Sequence, residues 1–199
     1  MAGKRQFNEQ RVLNAALEVL VRRGYKEATM GELAEAAGVQ CRTLYHAYGG
    51  KEDLFVKAFN DLAGNFYQKV EHALQKHDRR AALQSFFELV VPLDHSARCA
   101  TVIATRLTTE LGDSSGRLRG SLADFFRALE DLLREGLSAR GDDMPLTMSP
   151  GDAAKFLIAT TRGIAVMRDM YLNHPNVVAV VNALLNAVVS STAQQQRAG

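Results

Sequence analysis

The stretch Thr29–Leu54, TMGELAEAAGVQCRTLYHAYGGKEDL, decides how the rest of the chain is read. Thr29-x-x-Glu32 has the form of a capping box, in which each side chain satisfies a backbone N–H at the other end of a helical turn. Met30, Leu33, Ala34 and Ala37 then recur at helical spacing, so one face is apolar. Gly38 stands where a helix C-terminus needs a left-handed residue. Val39 anchors a second short helix, Gln40 to about Ala47, whose outward residues are Arg42, Thr43, Tyr45 and His46. A short helix, a glycine turn and a second helix offering polar, aromatic and basic side chains form the helix-turn-helix pattern.

Outward from this stretch, the same periodicity predicts helices almost everywhere. The low proline count (4) and the lack of alternating Val/Ile/Thr runs argue against a sheet, so the fold class is all-α with about nine helices. A first helix runs from about Asn8 to Arg23, with Leu13, Ala16, Leu17 and Leu20 inward and Gly24 as its stop. Gly49-Gly50 breaks the chain, and a long helix follows to about Gln75 with Glu52 and Asp53 in its first turn, where carboxylates favour the macrodipole. Roughly 24 residues at 1.5 Å each make it about 36 Å long, a length that suits a connector. Five more helices are expected: about Ala81–Val91, Ser96–Leu111, Ser115–Ala139, Pro150–Asn173 with Ser149 as cap, and Pro175–Gln195. The last of these carries Val177, Val178, Val180, Val181, Leu184, Leu185, Val188 and Val189, which wrap most of its circumference. Such a helix is buried on more than one side. It is either central in the fold or shared with a second subunit.

The totals bound the partners only loosely. The 199 residues include 24 Lys/Arg and 22 Asp/Glu; residues 1–57 hold 9 and 7 of these, so the small excess lies wholly in the N-terminal part. The basic arm Met1–Gln6 could follow a phosphate backbone or simply fray. Two cysteines make no disulfide framework for a chain of this size, which with the lack of a charged-then-apolar leader leads us to expect the cytoplasm. The most apolar run, Val177–Val189, is too short to span a bilayer and is broken by Asn182 and Asn186, so no membrane partner is expected.

The residues RVLNAALEVL…GYKEATMGELAEAAGVQCRTLYHAYGGKEDLF resemble the DNA-binding domain of the TetR family of bacterial transcriptional regulators. The likeness lies at Arg11, Leu13, Ala15-Ala16, Gly24-Tyr25, Thr29, Leu33-Ala34, Ala37-Gly38-Val39, Thr43-Leu44-Tyr45, Lys51, Glu52 and Leu54, about the first quarter of the chain. It implies a DNA-binding domain over residues 1–50 and an effector-binding and dimerisation domain over 51–199. The implied partners are double-stranded DNA with a palindromic operator, a small-molecule effector, and a second copy of the chain held through the last two helices. Two recognition helices about one DNA turn apart, ~34–36 Å, would read the palindrome, and effector binding would reset their separation through the long fourth helix. The implied function is a repressor released by its ligand.

Carried over residue by residue, the resemblance implies phosphate contacts at Thr29, Tyr45, His46 and Lys51, and base-reading positions at Gln40, Cys41, Arg42 and Thr43. The family usually has Ser at 40, Gly at 42 and Phe at 48. Gln40 is a poorer cap than Ser. Arg42 could pair bidentately with guanine or meet a phosphate. Tyr48 most simply fills core space.

Candidate effector-pocket residues are Phe59, Phe66, Phe87, Cys99, Arg106, Phe126, Arg162 and Tyr171. The aromatics could line an apolar cavity or simply form the core. Arg106 and Arg162 stand among apolar positions, where each needs a partner, either an anionic or carbonyl ligand or an interhelical carboxylate. Cys99 would fall in a helix first turn after Ser96, beside Arg98, a setting that lowers a thiol pKa. Arg98-Cys99-Ala100, with Glu110-Leu111 farther on, also resembles a Gly-Cys-Leu…Glu-Leu stretch of some TetR-like subgroups, electrophile sensors among them. A thiol-based sensor is therefore one alternative reading, and a buried small residue the other. His95 and Cys99 are too few for a metal site, so no metal and no cofactor are expected. No Ser/His/Asp grouping or Gly-rich phosphate loop points to an enzyme. A helical interaction protein that has lost DNA binding is a further alternative, made thinkable by Gln40 and Arg42.

Overall fold

In a computed structural model of the chain, residues 8–91, 100–112, 116–139, 145–170 and 174–190 are described. They form nine helices: α1 (Glu9–Arg23), α2 (Met30–Ala37), α3 (Cys41–Tyr48), α4 (Lys51–Leu74), α5 (Arg79–Val90), α6 (Ala100–Leu111), α7 (Arg117–Ser138), α8 (Pro150–Met170) and α9 (His174–Val188). No strand is present among these residues; one isolated antiparallel bridge joins Leu146 to Val189.

The caps follow from the local sequence. Asn8 closes the first turn of α1 by accepting from Arg11 N–H at 3.1 Å. Asp78 does the same for α5, accepting from Ala81 N–H at 2.6 Å. Ser149 caps α8, its Oγ accepting from Asp152 N–H at 3.1 Å. The start of α7 is different. Gly116 has no side chain to cap with, and Leu118 N–H donates instead to Glu52 Oε1 of α4 at 3.2 Å. A carboxylate borrowed from another helix thus meets both the orphan donors and the positive end of the α7 dipole.

The stripes predicted for α1, α2, α4 and α7 face one continuous core. Helix α4 is its spine, packing on α1 at one end and on α5 and α7 along the rest. Phe125 of α7 is 1% exposed and sits among rings, with centroids at 5.4 Å to Phe59, 5.8 Å to Phe66, 5.7 Å to Tyr67 and 5.2 Å to Phe126. Toward the far end of α4, a Cβ built on Gly136 would meet Leu74 Cδ1 at 2.8 Å, so α4 and α7 approach closely there and a larger residue at 136 would require Leu74 to shift.

Several element limits differ from the expectation. Helix α9 runs to Val188 among the described residues. The segment before α8 lies across its end, with Thr147 N–H donating to Val188 O and Ser190 N–H to Pro145 O, both at 3.0 Å. That strap takes the last carbonyls and turns the chain out of the helix. Helix α7 starts at Arg117, after Gly116, rather than at Ser115. The expected start of α6 at Ser96 and the expected ends of α8 at Asn173 and of α9 at Gln195 lie outside the described residues. No helix among the described residues is long and apolar enough to cross a membrane.

Candidate nucleic-acid interface

The site is built by α1, α2 and α3, with Leu44 the buried residue of α3. Thr29 caps α2 in a complete capping box: Glu32 N–H donates to Thr29 Oγ1 at 3.3 Å, and Thr29 N–H donates to Glu32 Oε2 at 3.0 Å. Hydrogen bonding from the Thr29 backbone, then from its side chain, holds the Glu32 carboxyl below its ordinary pKa. Gly38 ends α2 in the left-handed region at φ 68°, and Val39 N–H reaches back to Ala34 O at 3.0 Å. A Cβ at Gly38 would lie 2.8 Å from Arg11 Nη2, so the turn is tight against α1 as well.

Within α3, Leu44 is the buried residue, at 0% exposure, and it anchors the helix to the core. Tyr45 is 52% exposed, and Gln40, Arg42 and His46 are also exposed, while Cys41 and Thr43 are half-buried. Arg42 and His46, four apart, meet on one face, with Nε of Arg42 donating to Nε2 of His46 at 3.3 Å. The predicted DNA-side residues 40, 42, 45 and 46 are therefore all exposed, and 42 and 46 share one face of α3. Gln40 sits at the N-cap of α3 in extended backbone and makes no side-chain cap bond. Gln40→Ser supplies that bond and is expected to stabilise the fold by ~1 kcal/mol, raising the melting temperature by roughly 2–4 °C. Calorimetry checks it, and an unchanged midpoint counts against a cap deficit. Tyr48 packs inward, where burial and then the Glu9 carboxylate push its phenol up to about 12.

Lys51 faces the corner between α1 and α2. Its ammonium donates to Tyr25 O at 2.9 Å and Lys26 O at 3.2 Å, and lies 4.8 Å from the Tyr25 ring centroid. Two of its three donors are thus committed to holding the corner, and one remains.

The same corner is held from the other side by α6, which the sequence did not disclose. Glu110 Oε2 accepts the Tyr25 N–H, Arg106 donates to Glu110 Oε1 at 2.7 Å, and Arg106 Nη1 donates to Val21 O. Arg106 is therefore spent on an ion pair within α6 and on the end of α1. It also edges a solvent-open cleft of about 510 Å³ between α1, α6 and α8. The signal available was the four-residue spacing of Arg106 and Glu110; what they clasp was not in it. On the α7 side, Asp53 pairs with Arg117 beside the Glu52 cap.

The remaining pocket candidates divide. Phe59, Phe66 and Phe87 are core residues at 0%, 6% and 2% exposure. Phe126 is half-buried with the Arg162 guanidinium 4.5 Å from its ring centroid, and burial lowers the Arg162 pKa. Cys99 and Tyr171 lie outside the described residues. Among the described residues no group of three or more His, Cys, Asp or Glu side chains is placed to hold a metal ion.

Comparison with known proteins bears on this geometry. Residues 12–58, spanning α1 to the first turns of α4, match the family model described as bacterial regulatory proteins, tetR family. The chain is 27% identical over 137 residues to the fatty acid metabolism regulator protein of Bacillus subtilis (strain 168), covering 64% of this chain and 67% of that protein. Its fold superposes on the transcriptional regulator FadR from Bacillus subtilis in complex with stearoyl-CoA, with a TM-score of 0.66 at 24% identity over 92% of this chain and 98% of that one. It also superposes on a cysteine mutant of the TetR family regulator CifR complexed with 26bp double-strand operator DNA. There the TM-score is 0.77 at 23% identity, over 94% of this chain and 100% of that one. With the capped α2, the glycine turn and the exposed α3 in place, residues 12–58 form a helix-turn-helix DNA-binding domain of the tetR family of bacterial regulatory proteins.

Proposed function

We propose that the chain is a ligand-responsive repressor that binds a palindromic operator as a homodimer and leaves it when a small molecule binds. The observation that carries the DNA part is α3 itself, held by one buried leucine and presenting Arg42, Tyr45 and His46 outward. Residues 1–50 form the reading head and residues 51–199 the effector and dimerisation part. Gln40, Cys41, Arg42 and Thr43 stand at the base-reading positions; Thr29, Tyr45, His46 and Lys51 approach phosphates. The chain has no catalytic role in this reading and works in the cytoplasm.

The dimer reading is supported by large apolar side chains left exposed on the last two helices. Val166 and Met167 of α8 are 51% and 39% exposed, and Val178 and Val180 of α9 are 40% and 37%. Apolar surface of this kind on two neighbouring helices marks an interaction face. The effector reading draws on the ring cluster around Phe125 and on relatives named for fatty acid metabolism or solved with stearoyl-CoA. We infer a long-chain fatty acyl effector that enters between α4 and α7 by parting those rings and so displaces α4.

A gel shift with duplex DNA from upstream of the gene tests the first half. Tyr45→Ala or Lys51→Ala should weaken operator binding at least tenfold, since each removes a charge-assisted or hydroxyl contact to phosphate. If the wild-type chain binds no duplex at low salt, the regulator reading fails, and the helical interaction protein is what remains. Stearoyl-CoA added to the bound complex tests the second half, and a complex that survives saturating acyl-CoA removes that effector class. Light scattering of the free protein reads the dimer directly.

A further inference from the structure

The contact between Arg42 and His46 fixes more than a neighbourly distance. Arginine carries donors only, so the imidazole Nε2 that receives Arg42 Nε–H at 3.3 Å must be the unprotonated nitrogen, and the ring proton sits on Nδ1. Two consequences follow from that tautomer. The Nε edge of the guanidinium is taken, which leaves the Nη1/Nη2 edge of this exposed residue for a partner. That edge is a two-donor fork of the geometry that matches guanine O6 and N7. Meanwhile the Nδ1–H of His46 stays free to donate to a phosphate. One imidazole can thus touch the backbone of the DNA and hold the arginine that reads its bases.

We propose that Arg42 and His46 act as one reading unit, in which the Nη1/Nη2 edge of Arg42 reads a guanine in the major groove and His46 is the positioning residue that sets the guanidinium plane. The proposal rests on the operator-binding reading above. It concerns this chain's own residues, because a glycine, the usual family residue at position 42, has no side chain to position. Ordering the arginine in the free protein removes part of the side-chain entropy otherwise lost on binding. It also ties the base contact to the register of a phosphate contact, so that a misplaced duplex loses both together.

The test starts from half-sites selected by the wild-type protein out of random duplex DNA, followed by titration of each single base-pair variant. The wild type should show one G·C pair per half-site whose replacement weakens binding about 5- to 150-fold. Arg42→Ala should be indifferent at that pair and otherwise retain its preferences. His46→Ala should lose roughly 2- to 10-fold of the preference at the same pair, the scale of one hydrogen bond. Gln and Asn then separate positioning from phosphate contact. In His46→Gln the amide oxygen lies as many bonds from Cβ as Nε2 does, so it can receive Arg42 Nε–H and should restore the preference. In His46→Asn the oxygen stands where Nδ1 does, and the preference should stay low although the amide can still reach a phosphate. The idea is overturned if Arg42→Ala keeps the full preference. It is equally overturned if the His46 variants weaken every sequence by the same factor, with Gln and Asn alike, which is the signature of a phosphate contact alone. Both residues are exposed, so all four variants should melt with the wild type. A wild-type protein that selects no DNA at all removes the regulator reading itself, a result distinct from either of these.

Discussion

Phe125→Ala lowers the stability of the fold by about 3–5 kcal/mol, the range for truncating a fully buried aromatic. At this chain length that corresponds to a melting temperature roughly 6–20 °C lower. Phe125 is 1% exposed and is the ring around which Phe59, Phe66, Tyr67 and Phe126 assemble, so the loss includes edge-to-face and stacked contacts as well as area. The helices on either side, α4 and α7, are long and tied at both ends, which restricts their collapse into the hole. Helix α7 is fixed near its start by the Glu52 cap and near its end by the close approach at Gly136. Urea titration should show a lower midpoint at nearly unchanged slope. The control is Phe126→Ala, which removes a half-buried ring and should cost less. Equal losses for the two would mean that the ring cluster is not organised around Phe125.

Glu110→Ala should be felt in two measurements at once. The carboxylate accepts the Tyr25 N–H and carries the counter-charge of Arg106, whose guanidinium also holds Val21 O. Hydrogen bonds to a charged partner are worth about 1.5–3 kcal/mol. The ion pair itself adds little, because the two side chains are 39% and 20% exposed and solvent screens them. A stability loss of about 2 kcal/mol is therefore expected, mostly from the orphaned Tyr25 N–H. Operator affinity should fall as well, since the corner that Glu110 releases is the one that seats α2 and α3 on the rest of the protein. Glu110→Gln keeps an acceptor and should lie between. Gly24→Ala attacks the same contact from the other side, because residue 24 has φ 86° and a Cβ there would lie 2.5 Å from the Glu110 carboxylate. An alanine at 110 that leaves both melting and DNA binding untouched would show that α6 does not hold the corner.

The reading head was the most legible part of the chain, for a local reason. Caps, a left-handed glycine and a stripe of period 3.6 depend on residues within a few positions of one another. Thr29, Glu32, Gly38 and the buried face of α2 therefore stand where the spacing put them. The limits of α9 and α7 were less legible, because what ends or caps them comes from far along the chain: the strap at Thr147 in one case, Glu52 in the other. The effector side was the least legible. Arg106 and Arg162 stand out in a sequence as charges among apolar residues, but only packing tells whether such a charge meets a ligand, a carboxylate or a ring.

By itself the sequence determined that this is an all-α chain, where most of its helices lie, and that an exposed α3 follows a capped α2 through a glycine turn. Each of these is set by interactions between residues no more than a helical turn or two apart. Only the tertiary structure decided which side chains remain available for chemistry. It committed Lys51 and Glu110 to the Tyr25 corner from opposite sides, filled the space between α4 and α7 with rings, and joined Arg42 to His46. These assignments depend on distances between helices, and amphipathic periodicity says which face is buried but not what it is buried against.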